Sequence, residues 1–155
     1  MGDEIVVGET EGSVQRIRLR ATEIKTYDGR LVLVPNAELF TSRVTNNTAA
    51  PVRRTSVEVP VAYGTDLARA ERALLSAADG VAGVLAAPEP SVRVRALGTA
   101  DMVLELRFWT DSRRADLLAT TSVVRRRVVE AFSDAGLPLP EPDLRRVELQ
   151  SETSA

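Results

Sequence analysis

Alternating apolar and polar positions predict β-structure in the first part of the chain. Val14, Ile17 and Leu19 recur among polar residues. Strand residues on one face recur at every second position, and the step from Val14 to Ile17 breaks that period, which predicts a β-bulge. A turn sequence at 27–30 and an aliphatic run at 31–34 continue the pattern. This part of the chain therefore predicts a small open β-barrel or sandwich.

One short helical turn is predicted at residues 37–41, directly after Pro35 and Asn36. Asparagine is favoured at helix N-caps because its side-chain oxygen accepts a backbone N–H, so we expect Asn36 to cap this turn. Strand-like residues return at 52–59. The first sixty residues thus predict strands with a single turn of helix.

The pattern changes to mixed helices and strands after residue 60. Apolar residues at helical spacing predict one helix at 66–79, with Thr65 or Asp66 as its N-cap, and a longer one that begins at Asp111 or Ser112 and ends at Gly136. Alternating apolar and polar residues predict strands at 57–61, 92–96, 102–108 and 144–149. Their order is the ferredoxin-like βαββαβ arrangement of a mixed α/β domain.

Pro60 interrupts the strand residues at 53–63. Proline cannot donate a hydrogen bond to a strand ladder, so we place the domain boundary there and expect the strand to serve both domains. The predicted organisation of this α+β chain is a β domain at 1–59, a ferredoxin-like α/β domain at 60–150 and a polar tail at 151–155.

The residue composition excludes most kinds of catalytic site. The 155 residues include no cysteine and no histidine, which removes thiolate and imidazole catalysis and the usual zinc sites. No glycine loop for phosphate is present, and the carboxylate clusters at 9–11 and 141–143 have no partner base. The sequence predicts no enzyme, no catalytic residue, no metal and no cofactor.

No apolar run approaches the roughly 20 residues that cross a bilayer, so we expect the chain itself to be soluble. Its net charge of −2 provides no general attraction to nucleic acid or to anionic lipid.

Several short motifs occur along the chain in a fixed order. They are Gly-Asp-Glu-Ile-Val-Val-Gly at 2–8, Glu-Gly-Ser-Val at 11–14, Leu-Val-Pro-Asn at 33–36, Pro-Val-Arg-Arg at 51–54, Ala-Tyr-Gly-Thr-Asp at 62–66, Phe-Trp at 108–109 and Ala-Gly-Leu-Pro-Leu-Pro at 135–140. In this order and spacing, the chain resembles the region that follows the pore-lining helix in the small-conductance mechanosensitive (MscS-like) ion channel family. The resemblance covers nearly the whole chain.

The resemblance implies a small Sm-like β domain followed by the mixed α/β domain. It also implies a homo-heptamer around a cytoplasmic vestibule, in a channel that opens under membrane tension to release osmolytes and ions. Preceding membrane helices would anchor the full-length protein in the cell membrane, with this region in the cytoplasm. The isolated piece could form the same ring or be monomeric.

Candidate contact residues accompany the resemblance. Asn36 and Ala37 would meet the pore helix, although the family often has glycine where Ala37 stands. Vestibule or inter-subunit contacts would involve Arg53, Arg54, Trp109, Leu144 and Val147. A cap or turn role for Asn36 is an equal alternative, and a solvated strand face is the alternative for the arginines.

A free-standing Sm-like or ferredoxin-like binding module for RNA or a small regulatory ligand is the alternative function. Single-stranded RNA is commonly recognised by stacking on aromatic side chains, and only 4% of these residues are aromatic. We therefore expect no nucleic-acid partner.

Overall fold

The first domain is a five-stranded antiparallel sheet. In the computed structural model, which describes residues 1–139, its elements are β1 (Glu4–Val7), β2 (Thr10–Ile17), β3 (Ala21–Thr26), β4 (Leu31–Pro35), the short helix α1 (Asn36–Thr41) and β5 (Val44–Asn46). The strands lie in the order β4-β3-β2-β1-β5. The register of β2 against β3 shifts between Val14 and Arg16, which confirms the predicted bulge.

A small apolar core lies on one face of this sheet. Its members are Ile5, Val7, Val14, Ile24 and Val34, with half-buried Val32 and Leu39 packed against them. Ile17 and Leu19 belong to the same apolar pattern in the sequence, yet they are 63% and 93% exposed. The core therefore ends before the β2–β3 turn.

The second domain is a three-stranded antiparallel sheet with two helices on one face. Its elements are β6 (Val52–Ala62), α2 (Leu67–Ala78), β7 (Ser91–Leu97), β8 (Asp101–Asp111) and α3 (Arg114–Asp134). β8 lies between β6 and β7 and is antiparallel to both, so β6 and β7 are parallel with one strand between them. This is the split βαβ unit of the predicted ferredoxin-like fold.

Strand β6 belongs to the second sheet along its whole length. It pairs with β8 from Val52 opposite Asp111 to Ala62 opposite Asp101, and Pro60 is one of the paired positions. The two sheets therefore divide between β5 and β6, rather than at Pro60 as the sequence suggested. Pro60 is tolerated because β6 is an edge strand in the described part of the sheet, where a missing N–H on the outer side breaks no ladder bond.

The helices of the second domain share one core with the sheet. Leu74 of α2 and Phe132 of α3 are buried together with Val61, Leu106 and Phe108 of the strands. These inward side chains recur at helical spacing in the helices and at every second position in the strands, as the sequence predicted.

The helix ends follow the sequence signals in part. Asp66 caps α2, since its carboxylate accepts the N–H of Arg69 at 3.1 Å. Helix α3 begins at Arg114, later than predicted, and the chain leaves it through Gly136, whose φ of 60° suits glycine.

The predicted last strand at 144–149, with Leu144 and Val147, lies outside the described residues, as does the tail at 151–155. Within residues 1–139, no helix combines the length and the apolar character needed to cross a bilayer.

Candidate functional site

Asn36 holds the β2–β3 turn against the start of α1. Its side-chain amide donates to the carbonyl oxygens of Arg18 at 2.9 Å and Leu19 at 3.2 Å, and its Oδ1 accepts the Thr22 hydroxyl at 2.9 Å. Its backbone N–H donates to the Arg20 carbonyl at 3.0 Å. One residue therefore ties together the turn, the buried end of β3 and the helix.

The prediction that Asn36 is a helix cap was wrong. Helix α1 starts at Asn36 itself, Pro35 occupies the N-cap position, and no side chain caps this helix in the described structure. The reason is that the side-chain amide is engaged by backbone carbonyls from a turn earlier in the chain. A rule based on residue type and local position cannot detect such partners.

Large apolar side chains are exposed next to this turn. Leu19 on the β2–β3 turn is 93% exposed, and Phe40 on α1 is 92% exposed. Ala37 follows Asn36 on α1 and is also exposed. A single exposed apolar residue is ordinary, but several on the turn and on the helix that Asn36 ties together form a candidate contact surface. We call Leu19, Ala37 and Phe40 the Asn36 end.

Arg53 and Arg54 lie near the start of β6 and point to opposite faces of the second sheet. Arg53 is opposite Thr110, and Arg54 is opposite Trp109, in the ladder with β8. Trp109 is half-buried on the face away from the helices, whereas its neighbours Phe108 and Thr110 are buried beneath them. The fold thus brings Arg54 and Trp109 together and separates Arg53 from both.

The same outer face carries an ion-pair network that the sequence did not single out. Nη1 of Arg95 lies 2.7 Å from Glu58 Oε1 and 3.4 Å from Glu105 Oε1, and Nε of Arg107 lies 3.1 Å from Glu105 Oε2. Each of the three strands contributes a charge. The alternation of polar and apolar residues in the sequence predicts that these side chains face outward. Which of them pair depends on the order of the strands in the sheet, which the alternation does not give.

A second polar cluster joins the two domains at the start of α3. The backbone N–H of Arg114 donates to Glu4 Oε2 at 2.8 Å, and its guanidinium carbon lies 4.2 Å from the centre of the Tyr27 ring. Nε of Arg114 also lies 3.8 Å from Glu11 Oε1. Sequence reasoning missed this cluster, because its members come from distant parts of the chain.

Tyr27 in this cluster has an altered acidity. Burial raises the pKa of its hydroxyl to about 12, and the carboxylates of Glu4 and Glu11 act in the same direction because they disfavour a second negative charge. The Arg114 guanidinium acts in the opposite direction and lowers it. The folded protein therefore keeps this hydroxyl protonated to a higher pH than the unfolded chain does.

The polar clusters and the Asn36 end present different groups at the surface. Within residues 1–139, no group of three or more carboxylates is placed to hold a metal ion. Their charged side chains are mostly paired with each other across strands or between the domains, and the apolar side chains of the Asn36 end face outward.

Both domains match known channel domains. Residues 1–49 match the family model described as the mechanosensitive ion channel beta-domain, and residues 55–139 match the one described as the C-terminal region of the mechanosensitive ion channel MscS. The chain belongs to the MscS family of mechanosensitive ion channels. The family is one of ion channels and not of enzymes. The two matched ranges also divide where the two sheets divide.

Curated MscS relatives support the assignment. An uncharacterized MscS family protein of Haemophilus influenzae is 33% identical over 140 residues, and the mechanosensitive channel MscK of Escherichia coli is 34% identical over 115 residues. The alignments cover 90% and 74% of this chain, but only 12% and 10% of those proteins. The chain therefore corresponds to a small part of each relative.

Two solved structures have the same fold. The closed-state MscS of Helicobacter pylori superposes with a TM-score of 0.81, covering 92% of this chain and 56% of that one at 20% identity. Wild-type MSL1 of Arabidopsis thaliana gives a TM-score of 0.75, covering 92% of this chain and 51% of that one, also at 20% identity. These superpositions confirm the α+β fold expected from the sequence, and the family matches confirm the resemblance.

Proposed function

We propose that this chain is the cytoplasm-facing assembly region of a channel that opens under membrane tension and releases ions and osmolytes. The observation that carries the proposal is the order of the two family matches, which together cover most of residues 1–139. The matched region makes up 56% of the Helicobacter pylori chain. In this proposal, the full-length protein sits in the cell membrane and its remaining segments form the pore.

The edges of the first sheet suit self-association into a ring. Within the described residues, β4 and β5 are the outer strands of that sheet, and β4 exposes Leu31 and Leu33 by 58% and 59%. Val44 on β5 is 40% exposed. A contact between two different surfaces of identical subunits closes into a ring when the rotation allows it. We infer a homo-heptamer, in which the edge of β4 meets the neighbouring subunit.

The Asn36 end suits contact with a pore helix. Asn36 uses its amide inside the domain, so its proposed role is to position Leu19 and Ala37 for that contact. Arg54 and Trp109 on the outer face of the second sheet are the proposed vestibule or inter-subunit contacts there. Arg53 faces the other way, and its proposed role is separate from theirs.

A chimeric channel tests the proposal. This chain would be joined to the part of Helicobacter pylori MscS that precedes its matched region, and expressed in bacteria that lack their own mechanosensitive channels. We expect heptamers in detergent and survival of an abrupt fall in external osmolarity. A chimera that reaches the membrane but neither assembles nor protects the cells would contradict the proposal.

Charge on the β4 edge gives this experiment a matched control. The double change Leu31→Arg and Leu33→Arg is expected to prevent assembly, because it places two positive charges without partners at the inferred apolar contact. Val94→Arg, on an exposed position of β7 in the second domain, is expected to leave assembly intact.

A further inference from the structure

The two domains have separate hydrophobic cores. The core of the first domain is built from β1 to β4, and the core of the second from β6, β8, α2 and α3, and among the described residues they share no side chain. Interfaces between domains that lack a common apolar core tend to allow relative motion. The angle between these domains must therefore depend on polar contacts and on the connecting segment.

Arg114 makes the polar contacts from the second domain. As the first residue of α3, it donates its backbone N–H to Glu4, and a carboxylate is favoured at a helix N-terminus by the helix dipole. Its side chain reaches Glu11 on β2 and the ring of Tyr27, which follows β3. A single residue thus contacts three separate parts of the first sheet.

The segment that connects the two domains, residues 47–51, makes hydrogen bonds beside the contact between Glu4 and Arg114. The backbone N–H of Glu4 donates to the Thr48 hydroxyl at 2.9 Å, and the Asn47 N–H donates to the Glu4 carbonyl at 2.8 Å. On the other side, the Ser112 N–H donates to the Pro51 carbonyl at 3.1 Å. Glu4 is therefore held by the connection on one side and binds the helix on the other.

We propose that Glu4, Glu11, Tyr27 and Arg114 form an electrostatic joint that sets the angle between the two domains and that salt loosens. The side chains of Arg114 and Glu11 are 38% and 41% exposed, so dissolved ions screen their interaction. Neither core contributes to the joint, so the angle can change while each domain stays folded. This inference concerns the chain itself and does not depend on the channel function.

Distances between spin labels test the proposal. The chain has no cysteine, so Arg43→Cys in the first domain and Arg126→Cys on α3 introduce the only labelling sites. Labelled chains are diluted into unlabelled chains, so that distances within one chain are measured. We expect a narrow distance distribution at about 50 mM salt and roughly a twofold broader one at about 1 M, where the screening length is a few ångströms.

Two variants distinguish the loss of the joint from a non-specific effect of salt or of substitution on the chain. Arg114→Gln removes the guanidinium but keeps the backbone N–H. We expect its distance distribution to be broad at both salt concentrations. Arg125→Gln, an exposed arginine farther along α3, is expected to give the same distance distributions as the unmodified chain. Circular dichroism and urea unfolding are expected to show both domains folded in each variant.

Two results would overturn the proposal. One is a distribution that stays narrow in Arg114→Gln, and the other is a distribution of the unmodified chain that does not respond to salt. If Arg114→Gln does not fold, the Glu11→Gln variant tests the proposal instead. It removes only the half-exposed carboxylate that pairs with the Arg114 guanidinium. An unchanged distribution in folded Glu11→Gln at high and low salt would equally reject the joint.

Discussion

Asn36 shows how one side chain can organise the end of a domain. An amide has both donors and an acceptor, and here the donors meet two turn carbonyls while the acceptor meets a buried hydroxyl. Aspartate has nearly the same shape but no donor, so its carboxylate would face two carbonyl oxygens. The requirement at this position is therefore specific for asparagine.

Replacement of Asn36 by alanine is expected to lower the free energy of unfolding of the first domain by about 2 kcal/mol, since it removes three hydrogen bonds and leaves the Thr22 hydroxyl without its partner. Urea unfolding measures the change. Asn47→Ala is the matched control, because the described bond of Asn47 runs through its backbone. Equal stability of the two variants would refute the role given to Asn36.

Tyr27 provides a prediction on pH. Its pKa is raised from 10.0 to about 12 in the folded protein, so as pH rises the unfolded chain loses this proton first. The contribution of Tyr27 is thus complete below pH 10, and the free energy of unfolding falls between pH 10 and 12. Absorbance of tyrosinate in a Tyr63→Phe background, which leaves Tyr27 as the single tyrosine, measures the titration.

The effect of Glu4 on that titration identifies its cause. Glu4→Ala is expected to lower the pKa of Tyr27, because the nearby carboxylate disfavours the negative charge of the tyrosinate. A Tyr27 that titrates at the same pH with and without Glu4 would show that the two residues do not meet in solution.

At the scale of elements, Gly12 allows β2 and β3 to approach each other closely. A Cβ built at this position would clash with the carbonyl oxygen of Lys25 on β3. The backbone itself is in contact here, so no side-chain movement can relieve the clash. The close packing of β2 against β3 therefore explains why this position of the Glu-Gly-Ser-Val motif is glycine.

Gly12→Ala is expected to destabilise the first domain by about 2 kcal/mol, because the two strands must move apart. Gly64→Ala is the control, since no atom lies within 4 Å of the added methyl group there. Thermal unfolding of both variants checks the prediction. A Gly12→Ala protein as stable as Gly64→Ala would mean that the strands are farther apart than described.

The elements themselves could be predicted well from the sequence. Period-two alternation located the strands, and an odd step within it located the bulge at Val14, because both are local properties of a half-buried sheet. The start of α3 was placed early, since Asp111 and Ser112 resemble caps. The helix instead begins at Arg114, where a carboxylate from the other domain accepts its N–H. That partner could not be read from neighbouring residues.

At the scale of the molecule, the separate cores predict separate responses to mutation. Leu74→Ala is expected to destabilise the second domain by about 3 kcal/mol through a cavity beneath α2, and to leave the first domain unchanged. Amide hydrogen exchange resolves the two domains. Leu118→Ala, at a 47% exposed position on α3, is the control. Loss of protection at Ile24 in Leu74→Ala would show that the domains unfold as one.

The domain division and the joint mark the limit of prediction from this sequence. Pro60 was a reasonable boundary because proline is disfavoured within sheets, but its cost depends on whether the strand is central or at an edge. The contact between Glu4 and Arg114 joins residues 110 positions apart. Only the relative placement of two folded domains creates it, and no local pattern encodes that placement.

Electrical recording from the chimeric channel tests the central proposal most directly. Excised membrane patches carrying the chimera would be placed under suction, beside patches carrying the Helicobacter pylori portion alone. We expect discrete openings that increase with suction in the chimera and not in the truncated portion. A chimera present in the membrane as a ring, but without openings at any suction that the patch survives, would contradict the account.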